Sequence, residues 1–201
     1  MNNMLLLGSK SPSRQMLLRE ANIPFQLIQQ DADEAVCDWG LPLKQLVEQI
    51  ALSKMAHVEL PHGNEGDYCF VLTADTLSCD VDGKIHGKPA DRADAITKIK
   101  AAREGSILAT AFCLDKRIWH ASQWKIDRRI VRVVSSSYQF IVPDNWIDRY
   151  FEHSVGYRAS GAIAVEEYGA QFLKVVDGSY PTIVGLPMFE LREALDDMEF
   201  F

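Results

Sequence analysis

The stretch Met4-Leu5-Leu6-Leu7-Gly8-Ser9-Lys10-Ser11-Pro12-Ser13-Arg14 decides the fold class. Met4–Leu7 is an unbroken apolar run, the pattern of a buried strand, and it ends in Gly8. Ser11 followed by Pro12 reads as a helix N-cap with proline at the first helical position, opening a helix to Ala21. A strand that passes through a short Gly-Ser turn into a helix begins an α/β unit. The pattern continues with a strand at Phe25–Ile28, an amphipathic helix from Leu43 to Val58, a loop at Pro61–Asp67 and a buried strand at Tyr68–Leu72. Leu77–Val81 and Lys84–His86 flank an Asp82-Gly83 hairpin turn, and Asp91–Arg103 is a helix stopped by Gly105. Ser106 to Val142 is strand-rich. Pro143 opens a helix through about Glu152, Phe172–Val176 is a strand, and Pro187–Leu195 is a closing helix. Early alternation followed by antiparallel-type β predicts an α/β fold with a mixed sheet. At 201 residues it is expected to form one domain, residues 1–201, with a second lobe over roughly 105–145.

Composition narrows the functional classes. The hydrophobic fraction is 47% and the charged fraction 24%, values of a folded globular chain. The net charge of -7 argues against nucleic-acid binding, which needs a basic footprint. Cys37, Cys69, Cys79 and Cys113 show no metal or redox spacing, and His57, His62, His86, His120 and His153 show no ligand spacing. Lys125, Arg128, Arg129 and Arg132 form a basic stretch that reads as a solvated face. The start of the chain lacks a basic segment followed by a long apolar run, so a soluble, cytoplasmic protein without membrane contact is expected.

Several charged residues fall where core is expected. Leu43, Leu46, Val47 and Ile50 form a stripe at helical spacing, and Lys54 continues it. Such a lysine either lays its stem on the core with its head in water or points into a cleft. Arg14 lies on the same face of the first helix as Leu17, Leu18 and Ala21, in the first turn, where the helix dipole disfavours a cation. It reads as an edge arginine paired with a carboxylate or as part of an anion site. Gly8-Ser9-Lys10-Ser11, with backbone N–H groups and the Ser9 and Ser11 hydroxyls, suits a phosphate. Asp75 follows the apolar run at the C-terminal end of a strand, where α/β sheets bind ligands. It reads as a turn cap or as a carboxylate that holds a metal or positions water. Asp31, Asp33 and Glu34 are either a solvated loop or a source of hard metal ligands. Lys88, in Gly87-Lys88-Pro89, reads as a surface lysine or a further cation.

Taken in order, these stretches resemble the Maf family of nucleotide pyrophosphatases. Gly8-Ser9-Lys10-Ser11-Pro12-Ser13-Arg14 resembles its S-x-S-P-R-R turn, Asp33-Glu34 its V-D-E, and Ala51-Leu52-Ser53-Lys54 its A-x-x-K-A helix. Ala74-Asp75-Thr76 resembles A-D-T and Gly87-Lys88-Pro89 resembles G-K-P. Asp177-Gly178-Ser179-Tyr180 and Val184-Gly185-Leu186-Pro187 resemble E-G-S-Y and V-G-L-P. The resemblance implies an elongated two-lobed α/β fold with a central cleft, and hydrolysis of the α–β phosphoanhydride of a nucleoside triphosphate. It implies a divalent metal, Mg²⁺ or Mn²⁺, a house-cleaning role on non-standard nucleotides with a link to cell division, and a homodimer as the family habit. Asp75 would be the proton acceptor, Arg14, Lys54 and Lys88 would bind phosphates with Ser9 and Ser11, and Glu34 and Asp75 would hold the metal.

Three positions associated with base choice in the family depart from its patterns. The dTTP/UTP group has Arg, Thr and Gln; the 7-methyl-GTP group has Trp, Gln and Glu. This chain has Ser13, Thr76 and Glu166. A carboxylate only accepts hydrogen bonds, which suits the adjacent N–H donors of guanine and not the flanking acceptors of thymine or uracil. Ser13 offers no aromatic face for a methylated cationic base. A guanine-type or broad preference is expected. The alternative function is a catalytically weak nucleotide-binding regulator linked to division.

Overall fold

The computed structural model describes residues 3–201. Among the described residues, seven strands form one sheet in the order β2-β1-β3-β5-β6-β7, with β4 paired to β3. These are β1 (Leu5–Leu7), β2 (Phe25–Leu27), β3 (Tyr68–Asp80), β4 (Ile85–His86), β5 (Ser106–His120), β6 (Gln123–Phe140) and β7 (Leu173–Asp177). β1 pairs in parallel with both β2 and β3, while β4 and β7 pair antiparallel with their neighbours, so the sheet is mixed as expected. The helices are α1 (Pro12–Glu20), α2 (Leu43–Ala56), α3 (Arg92–Ala101), α4 (Ile147–His153), α5 (Tyr180–Val184) and α6 (Met188–Asp197). No helix among the described residues is long and apolar enough to cross a membrane.

Contacts divide the chain into two compact units. The first comprises Met1–Asp75, Ala111–Val133 and Gly185–Phe201; the second comprises Thr76–Thr110 and Val134–Val184. The second lobe expected at 105–145 shares residues 105–110 and 134–145 with the second unit.

In the first unit, the α2 stripe forms as its spacing dictates. Leu46, Val47 and Ile50 are fully buried, each worth roughly 1.5–3 kcal/mol of apolar burial. Met55 joins Val71 and Cys113 in a core that Leu6, Ile28 and Leu52 flank. In the second unit, Tyr150 packs against Phe140 and Phe172, and its hydroxyl donates to Ala162 O at 3.0 Å while accepting from Ala164 N at 2.8 Å. This pins the irregular segment that leads to Glu166. A Cβ on Gly169 would fall 1.7 Å from Ala164 O, so only glycine fits there.

β3 differs from the sequence-based expectation. β3 does not end at Leu72 but continues to Asp80, so Asp75 lies inside a strand and not beyond its end. The apolar run stops where the polar side chains find partners, with Thr73 Oγ1 donating to Ala51 O at 2.8 Å. The strand end that opens the site is that of β1, whose last partner on β3 is Leu72 and after which Gly8 N donates to Leu72 O. The turn between β5 and β6 is Ala121-Ser122, both with positive φ, where sequence rules look for Asn or Gly.

Candidate active site

Within the first unit, α1, β3 and α2 bring Arg14, Asp75 and Lys54 together. Asp75 is 6% exposed, Lys54 7%, Arg14 8% and Ser9 7%, so none of the four is a solvated surface group. Lys54 Nζ lies 2.5 Å from Asp75 Oδ1 and 2.8 Å from Glu34 Oε1. The Lys54 head is therefore not in water, as the snorkelling reading requires, but buried and paired with two carboxylates. The lysine sits in the last turn of α2, where the helix dipole favours a cation.

Arg14 is held by a backbone carbonyl and by a serine hydroxyl. Its Nε donates to Gly185 O at 2.7 Å and its Nη1 to Ser9 Oγ at 3.1 Å. Ser11 is the N-cap, its hydroxyl accepting from Arg14 N at 3.4 Å, and Pro12 opens α1 as expected. Ser9 Oγ accepts from both Arg14 and Ser11 N, which leaves its single proton to donate elsewhere.

Burial pushes the Asp75 carboxyl above its ordinary range, and the Lys54 and Arg14 charges oppose that shift. Burial likewise lowers the Arg14 guanidinium, opposed by Asp75 and Glu34. Asp75 Oδ2 is buried without a hydrogen-bond partner. An orphaned carboxylate oxygen is costly unless a cation or a donor reaches it. Asp75 and Glu34 already converge on one cationic atom, the Lys54 ammonium. They are hard oxygen donors of the number Mg²⁺ takes from protein when phosphates supply the rest, so these residues fit a divalent ion. Among the described residues, no three His, Cys, Asp or Glu side chains gather into a metal cage.

Ser13 is half-buried in the first turn of α1. Lys88 is exposed in the second unit. Thr76 is half-buried, and its Oγ1 lies 2.9 Å from Thr110 Oγ1. Thr110 donates its one hydroxyl proton to Thr182 O at 2.8 Å, so in the other bond Thr76 is the donor. Glu166 is 8% exposed in the second unit, and its carbonyl accepts from Gly169 N.

Two structural roles escape sequence reasoning. The first is the Gly185 carbonyl on Arg14. Gly185 has φ +127, a conformation open to glycine, which turns its carbonyl toward the guanidinium. Gly185→Ala is expected to lower kcat/KM for a nucleoside triphosphate by about tenfold, the cost of losing one charge-assisted hydrogen bond. Steady-state kinetics check this, and an unchanged value would remove the positioning role. The second is Asp115, fully buried in β5 and gripped by Arg129 and Arg117. The basic stretch expected to be a solvated face is therefore partly structural. Arg129 forks onto Asp115 at 2.7 and 2.8 Å, and Arg128 donates to Asp197 O. The one signal in the sequence is a lone aspartate ending the apolar run Ala111-Phe112-Cys113-Leu114.

A mixed α/β sheet with a buried carboxylate, lysine and arginine gathered beyond the end of a parallel strand has the charge pattern of a site for an anionic phosphate ligand. The chain belongs to the Maf-like protein family, which it matches over residues 4–198. It is 33% identical over 196 residues to a dTTP/UTP pyrophosphatase of Acholeplasma laidlawii, covering 96% of each chain. It is 29% identical over 201 residues to one of Ruminiclostridium cellulolyticum, covering 96% of this chain and 95% of that protein. It is 27% identical over 207 residues to one of Hydrogenovibrio crunogenus, covering 100% and 99%.

Proposed function

We propose that the protein hydrolyses the α–β phosphoanhydride of a nucleoside triphosphate, releasing a monophosphate and pyrophosphate. The observation that carries this is the buried Asp75 carboxylate, held by Lys54 at 2.5 Å with its second oxygen unpartnered. Oδ2 takes a proton from water as the water oxygen bonds to phosphorus and the bridging oxygen leaves with the other phosphate. Arg14, fixed by Gly185 and Ser9, and the Ser9 proton stabilise the charge that builds on the phosphate oxygens. Glu34 and Asp75 would hold a divalent metal ion, Mg²⁺ or Mn²⁺, which when bound supplies further charge neutralisation. Lys88 is the remaining cation assigned to phosphate, on the strength of its Gly-Lys-Pro segment.

Glu166 supports a base with adjacent N–H donors, the guanine type, because a buried carboxylate only accepts. A second reading, dTTP and UTP, is favoured by Thr76 and by the dTTP/UTP pyrophosphatases among the relatives. The house-cleaning role and a homodimer belong to this proposal as well. The test is incubation with GTP, UTP, dTTP and modified triphosphates plus Mg²⁺ or Mn²⁺, with products resolved. Monophosphate with pyrophosphate is expected. A diphosphate with orthophosphate would place the cleavage elsewhere, and binding without turnover would favour the regulator. An unchanged base preference in Glu166→Gln would remove the guanine argument.

A further inference from the structure

The segment Gly87-Lys88-Pro89-Ala90 is short of backbone means to hold itself. Pro89 has no N–H, and a residue before proline is kept out of helical conformation, so Lys88 cannot join α3. Other parts of the second unit hold it instead. Gly87 O accepts from Gly161 N at 3.1 Å. Lys88 O accepts from Lys98 Nζ at 3.1 Å. Ala90 N donates to Asp94 Oδ2 at 2.9 Å. Lys98 and Asp94 are themselves joined one turn apart on α3, Nζ to Oδ2 at 2.7 Å.

The Lys98 side chain is only 10% exposed, unusual for a lysine in an acidic protein with solvent nearby. Its ammonium joins the Asp94 carboxylate to a backbone carbonyl, and that carbonyl is the one of Lys88. The Lys98 and Ala90 donors hold the Asp94 carboxyl below its usual range, as a carboxylate engaged on both sides requires. An ordinary i,i+4 surface pair would stabilise α3 only slightly and grip no loop.

We propose that Lys98 and Asp94 are positioning residues for Lys88, clamping its backbone so that the exposed ammonium is presented in one place. Neither touches substrate. The proposal rests on the reading of Lys88 as a phosphate-binding cation. Holding a flexible lysine by its own carbonyl lowers the ordering cost of meeting a phosphate, and that appears in binding more than in the chemical step.

The experiment is a double-mutant cycle on the full chain with Mg²⁺ and either GTP or UTP, whichever is turned over faster. Lys98→Met is expected to lower kcat/KM about tenfold, mostly through KM, and to have less than about a twofold effect in a Lys88→Ala background, the signature of coupled residues. Lys98→Arg, which keeps the donor, should recover most of the loss. Asp94→Asn keeps an acceptor for Ala90 N and is expected to give a smaller loss of the same kind. Thermal melts confirm that each variant folds. If Lys98→Met costs the same factor with Lys88 present or absent, the clamp is overturned while the phosphate role of Lys88 stands. If Lys88→Ala alone changes nothing, the reading beneath is wrong and the proposal falls with it.

Discussion

Asp75→Asn is expected to lower kcat by about 10²–10⁴-fold, the range for loss of a positioned general base. Asparagine keeps the shape, and its carbonyl can still accept from Lys54, while Glu34 at 2.8 Å keeps that lysine paired. The loss is therefore chemical and not structural. Stability supplies a second readout. Burial raises the Asp75 carboxyl above its unfolded value. A raised carboxyl contributes stability that is fully present below the unfolded pKa and is lost as pH rises through the folded pKa. Stability carried by the Asp75 carboxyl therefore falls as pH rises above its unfolded value, and asparagine, which does not titrate, escapes that fall. Thermal melts in chelator should show Asp75→Asn melting no lower than the parent chain. A variant that keeps its kcat would show that Asp75 is not the proton acceptor. One that melts far lower would show that Asp75 is a structural ion pair.

Asp115→Ala is expected to destabilise the protein by about 3 kcal/mol, the lower end for breaking a buried ion pair. Asp115 is fully buried and accepts a fork from Arg129 and a further bond from Arg117 at 2.9 Å. Without it, two guanidinium groups lose their anion. Arg129 is about a third exposed and can turn to water, which keeps the cost from the top of the range. Arg117 is less able to do so, because it also donates to Met55 O at 3.2 Å near the end of α2. Lys54 precedes Met55, so the same network steadies the turn that carries the Asp75 partner. Urea unfolding measures the loss. A change below about 1 kcal/mol would place Asp115 among ordinary surface pairs.

Much of this site is legible in the sequence alone. Lys54 stands out because helical spacing places it inside a stripe of Leu46, Val47 and Ile50, and Arg14 because it shares a face with Leu17 and Leu18. Those are local facts, fixed by 100° per residue. The Ser11 cap and Pro12 start are legible for the same reason, since a helix end is decided by neighbours in sequence. The length of β3 is not legible, because Thr73, Asp75 and Thr76 look like a strand end until Ala51, Lys54 and Thr110 provide partners.

By itself the sequence determined the alternation of strands and helices, the mixed sheet, and that Arg14 and Lys54 stand on apolar helix faces. Periodicity and turn chemistry act over a few residues, and the chain carries them wherever it goes. Only the tertiary structure decided what those charges meet. Lys54 bridges Glu34 and Asp75, Arg14 rests on a carbonyl 171 residues away, Asp115 binds two arginines, and Lys98 grips the backbone of Lys88. A buried charge must find its partner wherever the fold brings one, and no local spacing records that choice.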